Sequence, residues 1–197
     1  MIISRTAGFI DTDIRPRLRR RALAHYRDDP DTVLIEELGL KRGLVRLDLA
    51  CVTGFIHGYE IKSDRDNLKR LDRQVEIYSQ ILDRATLVAS PRHIESAISR
   101  LPLWWEVWVV EPARNGPRFI SIRRGRKNPD RNPRALVELL WQDEALKLLE
   151  QHNAAKGVRG KARHYLWDRI CETLDLDTIA GAVRTRLKAR SKPINTH

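Results

Sequence analysis

Apolar and polar positions divide the chain into segments of two periods. Residues 44–52, LVRLDLACV, alternate strictly: Val45, Leu47 and Leu49 on one face, Arg46, Asp48 and Ala50 on the other. That period of two predicts a half-buried strand. TVLIEELGL (32–40) and FIHGYEIKS (55–63) predict strands before and after it, joined through KRG and a tight turn at Thr53-Gly54. From residue 64 the period changes. Leu68, Leu71, Val75, Tyr78 and Leu82 recur at spacings of three and four, so 64–84 predicts an amphipathic helix. Upstream, 11–27 predicts another, with Ile14, Leu18, Ala22 and Tyr26 as its stripe, Asp11 or Asp13 as cap and Pro16 near its first turn. Downstream come a short buried strand at 85–90, a helix from Pro91 to 101, a strand at 104–110 and an edge strand at 118–124. Helical patterns near 134–149, 160–174 and 176–190 complete the chain.

The order α-β-β-β-α-β predicts an α/β fold with a mixed central sheet flanked by helices, followed by a C-terminal helical region. The hairpins supply antiparallel pairs, and the helix at 64–84 supplies the crossover to a parallel strand. Three regions follow: a sheet domain over 1–124, a basic, proline-marked linker over 125–133 and a basic helical region over 134–197.

Composition adds a direction. The net charge of the 197-residue chain is +11, and it is uneven. Through residue 111 there are 18 Lys and Arg against 17 Asp and Glu, and beyond it 19 against 9. A basic segment of this kind meets nucleic acid more often than an acidic protein or a membrane surface. Arg159, Lys161, Arg163, Arg184 and Arg186 are the tail cations suited to track a phosphate backbone, and Arg65 and Lys69 can add contacts from the central helix. The plainer alternative is a solvated helical face. Cys51 and Cys171 are isolated, so neither a structural zinc site nor a disulfide framework is expected, which suits a reducing cytoplasm. The first ten residues are too short and polar for a signal peptide, and no apolar run approaches the roughly 20 residues of a membrane span. A soluble, cytoplasmic protein without a membrane partner is expected.

Candidate chemistry gathers around GYEIKSDRDN, residues 58–67. Strand alternation puts Glu60 and Lys62 on one face with Gly58, and Tyr59 and Ile61 on the other. A two-residue turn at Thr53-Gly54 sets residue i opposite 107 − i, so Asp48 faces Tyr59, one position from Glu60. Neighbouring carboxylates repel unless a cation or a proton separates them. Magnesium takes one or two protein carboxylates and fills its octahedron with water and phosphate oxygens. Asp48, Glu60 and the Ile61 carbonyl can form such a half-shell, with Mn2+ able to replace Mg2+, and Lys62 can orient the attacking water. Gln74 borders the helix stripe and can point along the sheet. The alternative is two ordinary ion pairs, Asp48 with Arg46 and Glu60 with Lys62.

Other features have plainer readings. Ser63, Asp64 and Asp66 are expected to cap the helix that follows, although Asp64 and Asp66 can also reach a second metal. Tyr78 and His57 are expected to be structural, whereas His93 can line a cleft. Trp108 is expected in the core, and Trp104 or Trp105 facing a groove. No histidine pair has metal-nuclease spacing.

RLDLA followed by GYEIKSDRDNLKRLDRQVEIYSQ resembles the core motif of the PD-(D/E)XK, or restriction-endonuclease-like, nuclease superfamily, close to an uncharacterised bacterial family within it. The resemblance is good over roughly 11–110 and looser in the tail. It implies a restriction-endonuclease-like fold and a magnesium-dependent endonuclease or exonuclease. Asp48 and Glu60 match the acidic positions, Lys62 the lysine, Glu37 (with Glu36 its competitor) the additional acid and Gln74 the helix glutamine. It departs from the pattern in that no proline precedes Asp48. The expected partner is nucleic acid, DNA first, with a homodimer as in resolvase-like relatives. The competing classes are a nuclease-like nucleic-acid binder without activity and a protein-interaction module.

Overall fold

The computed structural model describes residues 8–191; residues 1–7, which include most of the decapeptide weighed as a signal sequence, and residues 192–197 lie outside the described part. Six strands form one mixed sheet in sequence order: β1 (Val33–Leu40), β2 (Val45–Val52), β3 (Ile56–Lys62), β4 (Arg84–Ala89), β5 (Glu106–Ala113) and β6 (Gly116–Arg123). The first three strands are antiparallel neighbours. β3, β4 and β5 run parallel, and β6 returns antiparallel. The parallel steps require crossovers, and α2 (Leu71–Ile81) and α3 (Pro91–Ile98) make them.

The sheet is covered on both faces. On one, α1 (Asp11–His25) lays Ile14, Leu18 and Ala22 over Leu49, Cys51, Tyr59 and Trp108. On the other lies a larger apolar layer formed by α2, α3, α4 (Pro133–Val137), α5 (Gln142–Gln151), α6 (Arg163–Thr173) and α7 (Leu176–Arg190). The expected helical region therefore shares its core with the sheet: Leu136, Trp167 and Val183 belong to the same cluster as Leu47 and Leu87. The 125–133 segment, read as a linker, is fastened to the C-terminal end of α2 and the turn into β4. The buried Asn128 amide donates to the carbonyls of Ser79 and Leu82, and Arg131 forms a buried ion pair with Asp83 at 2.7 Å. Buried polar groups held this way fix a connection in place.

Two details change the strand reading. The β2–β3 loop has three residues, Thr53 to Phe55, with Val52 opposite Ile56. The register is then one step from the two-residue case, with Leu49 opposite Tyr59, and Asp48 comes level with Glu60. Alternation also breaks once on each of β1 and β2. Leu49 packs under α1 while Leu47 packs on the opposite face, although strict alternation puts them on one. On β1, Glu36 pairs with Arg19 of α1 whereas Leu38 enters the larger core. The change of face falls at Glu37, whose φ is +53°, and at Asp48 beside it; the ladder runs from Glu36↔Leu49 to Leu38↔Leu47 without pairing them. A left-handed glutamate is uncommon, and such residues cluster where function demands them.

The helix start also differs. Residues 64–70 form a loop, because Asp66 turns back to accept hydrogen bonds from the amide and hydroxyl of Ser63 (2.8 and 2.6 Å) before α2 begins at Leu71. Trp105 is fully buried against Tyr78, and Trp104 lies in the same cluster, so neither is free to stack on a base. Both precede β5, so the expectation that strand alternation would turn one outward does not apply.

Gly58 is the most tightly enclosed glycine of the sheet. A Cβ there would lie 2.4 Å from Leu82 and 2.9 Å from Leu47, both fully buried. Overpacking of this kind costs about 1–3 kcal/mol, less a fraction regained from the unfolded chain. Gly58→Ala is expected to lower the melting temperature by ~2–8 °C in a thermal scan.

Candidate functional site

The site sits at the C-terminal end of β3, where β2 leaves its neighbour. The β2–β3 ladder stops at Leu49↔Tyr59, so the Ile61 backbone has no partner strand on that side. Asp48 fills the gap: its Oδ2 accepts from the Ile61 amide at 2.7 Å. The amide and carbonyl of an extended residue point to the same edge, so the Ile61 carbonyl also faces the gap. The resulting cleft, about 410 Å³, is lined by Glu37, Asp48, Glu60, Ile61, Lys62 and Gln74 among others. The five side chains singled out for catalysis thus converge, together with the Ile61 backbone.

Glu60 and Lys62 are almost wholly buried, at 3% and 4% exposure, so their charges need partners. They find each other, with Lys62 Nζ donating to Glu60 Oε1 at 2.5 Å. α2 supplies the rest. Gln74 Nε2 donates to the same oxygen at 2.6 Å, while Gln74 Oε1 accepts from Lys62 at 3.0 Å. One turn later, the Tyr78 hydroxyl lies 2.8 Å from Glu60 Oε2 and 2.7 Å from the Arg46 carbonyl, with one proton to give to either. Burial, then the charge of Glu60, keeps that phenol protonated well above its ordinary range. Tyr78 was expected to be core alone. The i, i+4 spacing from Gln74 was the available signal for its second role.

Arg15 is the other residue that sequence reasoning missed. From α1 it bonds Asp48 at both the carbonyl (2.8 Å) and the carboxylate (3.1 Å), and pairs with Glu37 (3.0 Å) and Asp11 (2.9 Å). Burial alone would weaken its charge; the bond to Asp11 and the charges of Asp11, Asp48 and Glu37 outweigh that and strengthen it. Nothing local marks one arginine among several on α1, so only packing identifies it. Glu37, not Glu36, is the cleft acid, since Glu36 is turned away to Arg19.

The remaining expectations separate. Arg65 and Lys69 are exposed and outside the cleft, where Arg70 and Arg73 stand instead. Arg184 lines a different pocket with Gly54 and Phe55, at the hairpin end of β3 away from Glu60. Arg159 pairs with Glu150, Arg163 lies over the Trp167 ring at 4.7 Å, Lys161 is exposed and Arg186 half-buried. His57 is structural, stacked on Tyr59 and bonded to Tyr26 and Thr86. His93 is buried against the Ser63 carbonyl at 3.1 Å. Among the described residues, no three or more His, Cys, Asp or Glu are placed so as to hold a metal ion by themselves, and no helix is long and apolar enough to cross a membrane.

The fold and cleft define a mixed α/β protein with a buried Glu-Lys pair and a half-buried aspartate at the mouth of a six-stranded sheet. The chain belongs to the bacteriophage P4 protein cII family, whose profile matches residues 20–197. Protein cII of Enterobacteria phage P4 is 33% identical over 162 residues, which cover 81% of this chain and 60% of that protein. The chain therefore corresponds to about three fifths of that relative's length. A solved protein of unknown function from Silicibacter pomeroyi is 20% identical, covering 75% of this chain and 92% of its own, with a TM-score of 0.42. These names state no chemistry.

Asp48 carries a pH signature. Burial, then the charge of Glu60, raises its carboxyl to about 7, against the opposing pull of the Ile61 amide, Arg15 and Lys62. Because the folded state holds this proton more tightly than the unfolded chain, its stabilisation is complete below the unfolded value and is lost as pH rises through about 7. Asp48→Asn is expected to melt ~3–8 °C higher than wild type at pH 8, the gap closing towards pH 4. Equal melting temperatures across that range would contradict the account.

Proposed function

We propose that the protein is a metal-dependent nuclease that hydrolyses phosphodiester bonds of nucleic acid, with DNA as the first candidate, on a restriction-endonuclease-like scaffold. The observation that carries this reading is the convergence of Asp48, Glu60, Lys62 and the Ile61 backbone at one strand end, with Asp48 level with Glu60. The donor set suits Mg2+ or Mn2+. Burial, and after it the charge of Glu60, raises the Asp48 carboxyl to about 7, and a divalent cation relieves the second of these. Two carboxylates and one carbonyl also match the few protein ligands magnesium takes. When bound, the metal lowers the pKa of its water and stabilises charge on the scissile phosphate.

The protein's own groups have separable roles. Asp48, Glu60 and the Ile61 carbonyl hold the ion. Lys62, held between Glu60 and Gln74, orients the nucleophile or offsets developing negative charge. Gln74 and Tyr78 fix the Glu60 carboxylate at the cleft wall, one bonded to each oxygen. Glu37 supports from the cleft edge, where Arg15 ties it to Asp48. Arg70 and Arg73 at the cleft wall are suited to meet the substrate phosphates.

One observation favours a second reading, a nuclease-like nucleic-acid binder without activity. All four carboxylate oxygens of Asp48 and Glu60 already lie within hydrogen-bond distance of a protein donor. Plasmid nicking and oligonucleotide degradation with Mg2+ or Mn2+ separate the two. Wild type is expected to cut, Glu60→Gln and Lys62→Ala to lose at least ~100-fold in rate, and EDTA to stop the reaction. Binding without cleavage under every metal would leave the second reading.

A further inference from the structure

The cation-rich helix α1 presents two flanks of opposite character. On the β1 side, Arg15 and Arg19 are each paired with carboxylates, Arg15 with Asp48 and Glu37 and Arg19 with Glu36. On the other side, Arg17, Arg20 and Arg21 share one helical face and look across a groove to Arg118 on the β5–β6 hairpin. The groove measures 540 Å³, and no carboxylate lines it. Arg118 is paired with Glu111 at its rim, whereas Arg17, Arg20 and Arg21 have no ion pair among the described residues. Arg21 instead lies 4.7 Å over the Trp108 ring. Arg17 is packed over the turn at Gly116, where an added Cβ would stand 3.1 Å from its guanidinium.

Like charges held together by the fold repel unless a counter-ion joins them. α1 is anchored by Ile14, Leu18 and Ala22, so its arginines cannot relieve that repulsion by moving the helix. We propose that this groove binds the phosphodiester backbone of nucleic acid. Four features select that ligand. All four cations are arginines, whose planar forks match phosphate oxygens. The surface is an open trough between a helix and a hairpin, shaped for a chain and not for an enclosed small molecule. Its apolar lining is Ala24, Ala113, Pro117 and the half-buried Phe119, with no exposed large side chain to enter a bilayer. Finally, the same helix carries Arg15 into the acidic cleft, so a strand held on one flank of α1 lies close to the site on the other. The sequence places the basic excess in the tail, but the tail cations are partly neutralised: Arg159 pairs with Glu150, Arg190 with Glu144 and Arg134 with Asp168. In the groove, three of the four arginines have no ion pair among the described residues. Contacts of this kind position a strand and carry no base information.

The proposal rests on the nucleic-acid reading, and binding separates the two. The full chain is mixed with a labelled DNA duplex in EDTA, so that cleavage plays no part, and anisotropy is followed as salt is raised. Arg17→Gln/Arg20→Gln/Arg118→Gln is expected to bind at least 10-fold more weakly at low salt. Its slope of log affinity against log salt should be shallower by about 2–3, one counter-ion per lost phosphate contact. Arg184→Gln/Arg186→Gln is expected to retain that part of the slope. Should the triple variant misfold by circular dichroism, Arg20→Glu, exposed and unpaired, serves in its place and is expected to weaken binding several-fold. An unchanged slope in a folded variant overturns the groove and leaves the nucleic-acid reading standing. No binding by wild type to DNA or RNA overturns both. Loss of binding to phosphatidylserine vesicles with DNA binding intact would assign the groove to a membrane and overturn it as well.

Discussion

The buried Glu60–Lys62 pair is the constraint around which the rest of the site is organised. Two charges under 5% exposed lie on a central strand, and each lone pair and proton has to be answered within the protein. One helix meets the demand. Gln74 bridges both charges, and Tyr78 reaches the remaining carboxylate oxygen while its ring stacks on Trp105. α2 therefore serves at once as the crossover between β3 and β4, a core helix and the second wall of the cleft. Replacing either charge alone strands the other, which ties local stability to any chemistry the pair performs.

The paired break in alternation on β1 and β2 serves the same end. Perfect alternation would commit the strands to regular pairing through residue 48. Instead both strands change face at Glu37 and Asp48, and the ladder to β3 stops one residue short. The opening exposes one backbone edge of Ile61, to which Asp48 responds. A positive φ at a glutamate is the strained feature of this arrangement, and it lies in the cleft wall. α1 closes the opening with Arg15, so the helix on one face of the sheet and the helix on the other both contribute to one site.

Charge is distributed by the fold more than by the chain. The net excess lies after residue 111, yet much of it is used internally: Arg131 holds Asp83, and Arg190 holds Glu144 while lying 4.0 Å over Trp141. The balanced front part contains the flank of α1 whose arginines have no acidic partner among the described residues. Net charge counted along a sequence is thus a poor guide to where a surface field is strong, because burial and pairing decide which charges remain free.

The sequence by itself determined the order and type of the elements through β6, since period-two and period-3.6 patterns report directly on which face of an element is buried, whereas its one helical pattern at 134–149 divides into α4 and α5. It also marked Asp48, Glu60, Lys62 and Gln74, because acids and a lysine within apolar strands and a polar group on a helix flank are conspicuous where carbon would otherwise be expected; Glu37, with Glu36 as its competitor, came from the family resemblance. It read the register one residue off and extended alternation through Asp48, because loop length and a local face change arise from backbone geometry that side-chain pattern does not record. It assigned Tyr78 to the core alone and passed over Arg15. A tyrosine ring satisfies a hydrophobic stripe whatever its hydroxyl does, and one arginine among several on a helix is distinguished only by what lies opposite it. Those decisions belong to the tertiary structure: Asp48 lies 13 residues from the amide it accepts and 33 from the guanidinium it holds, separations that only folding brings together.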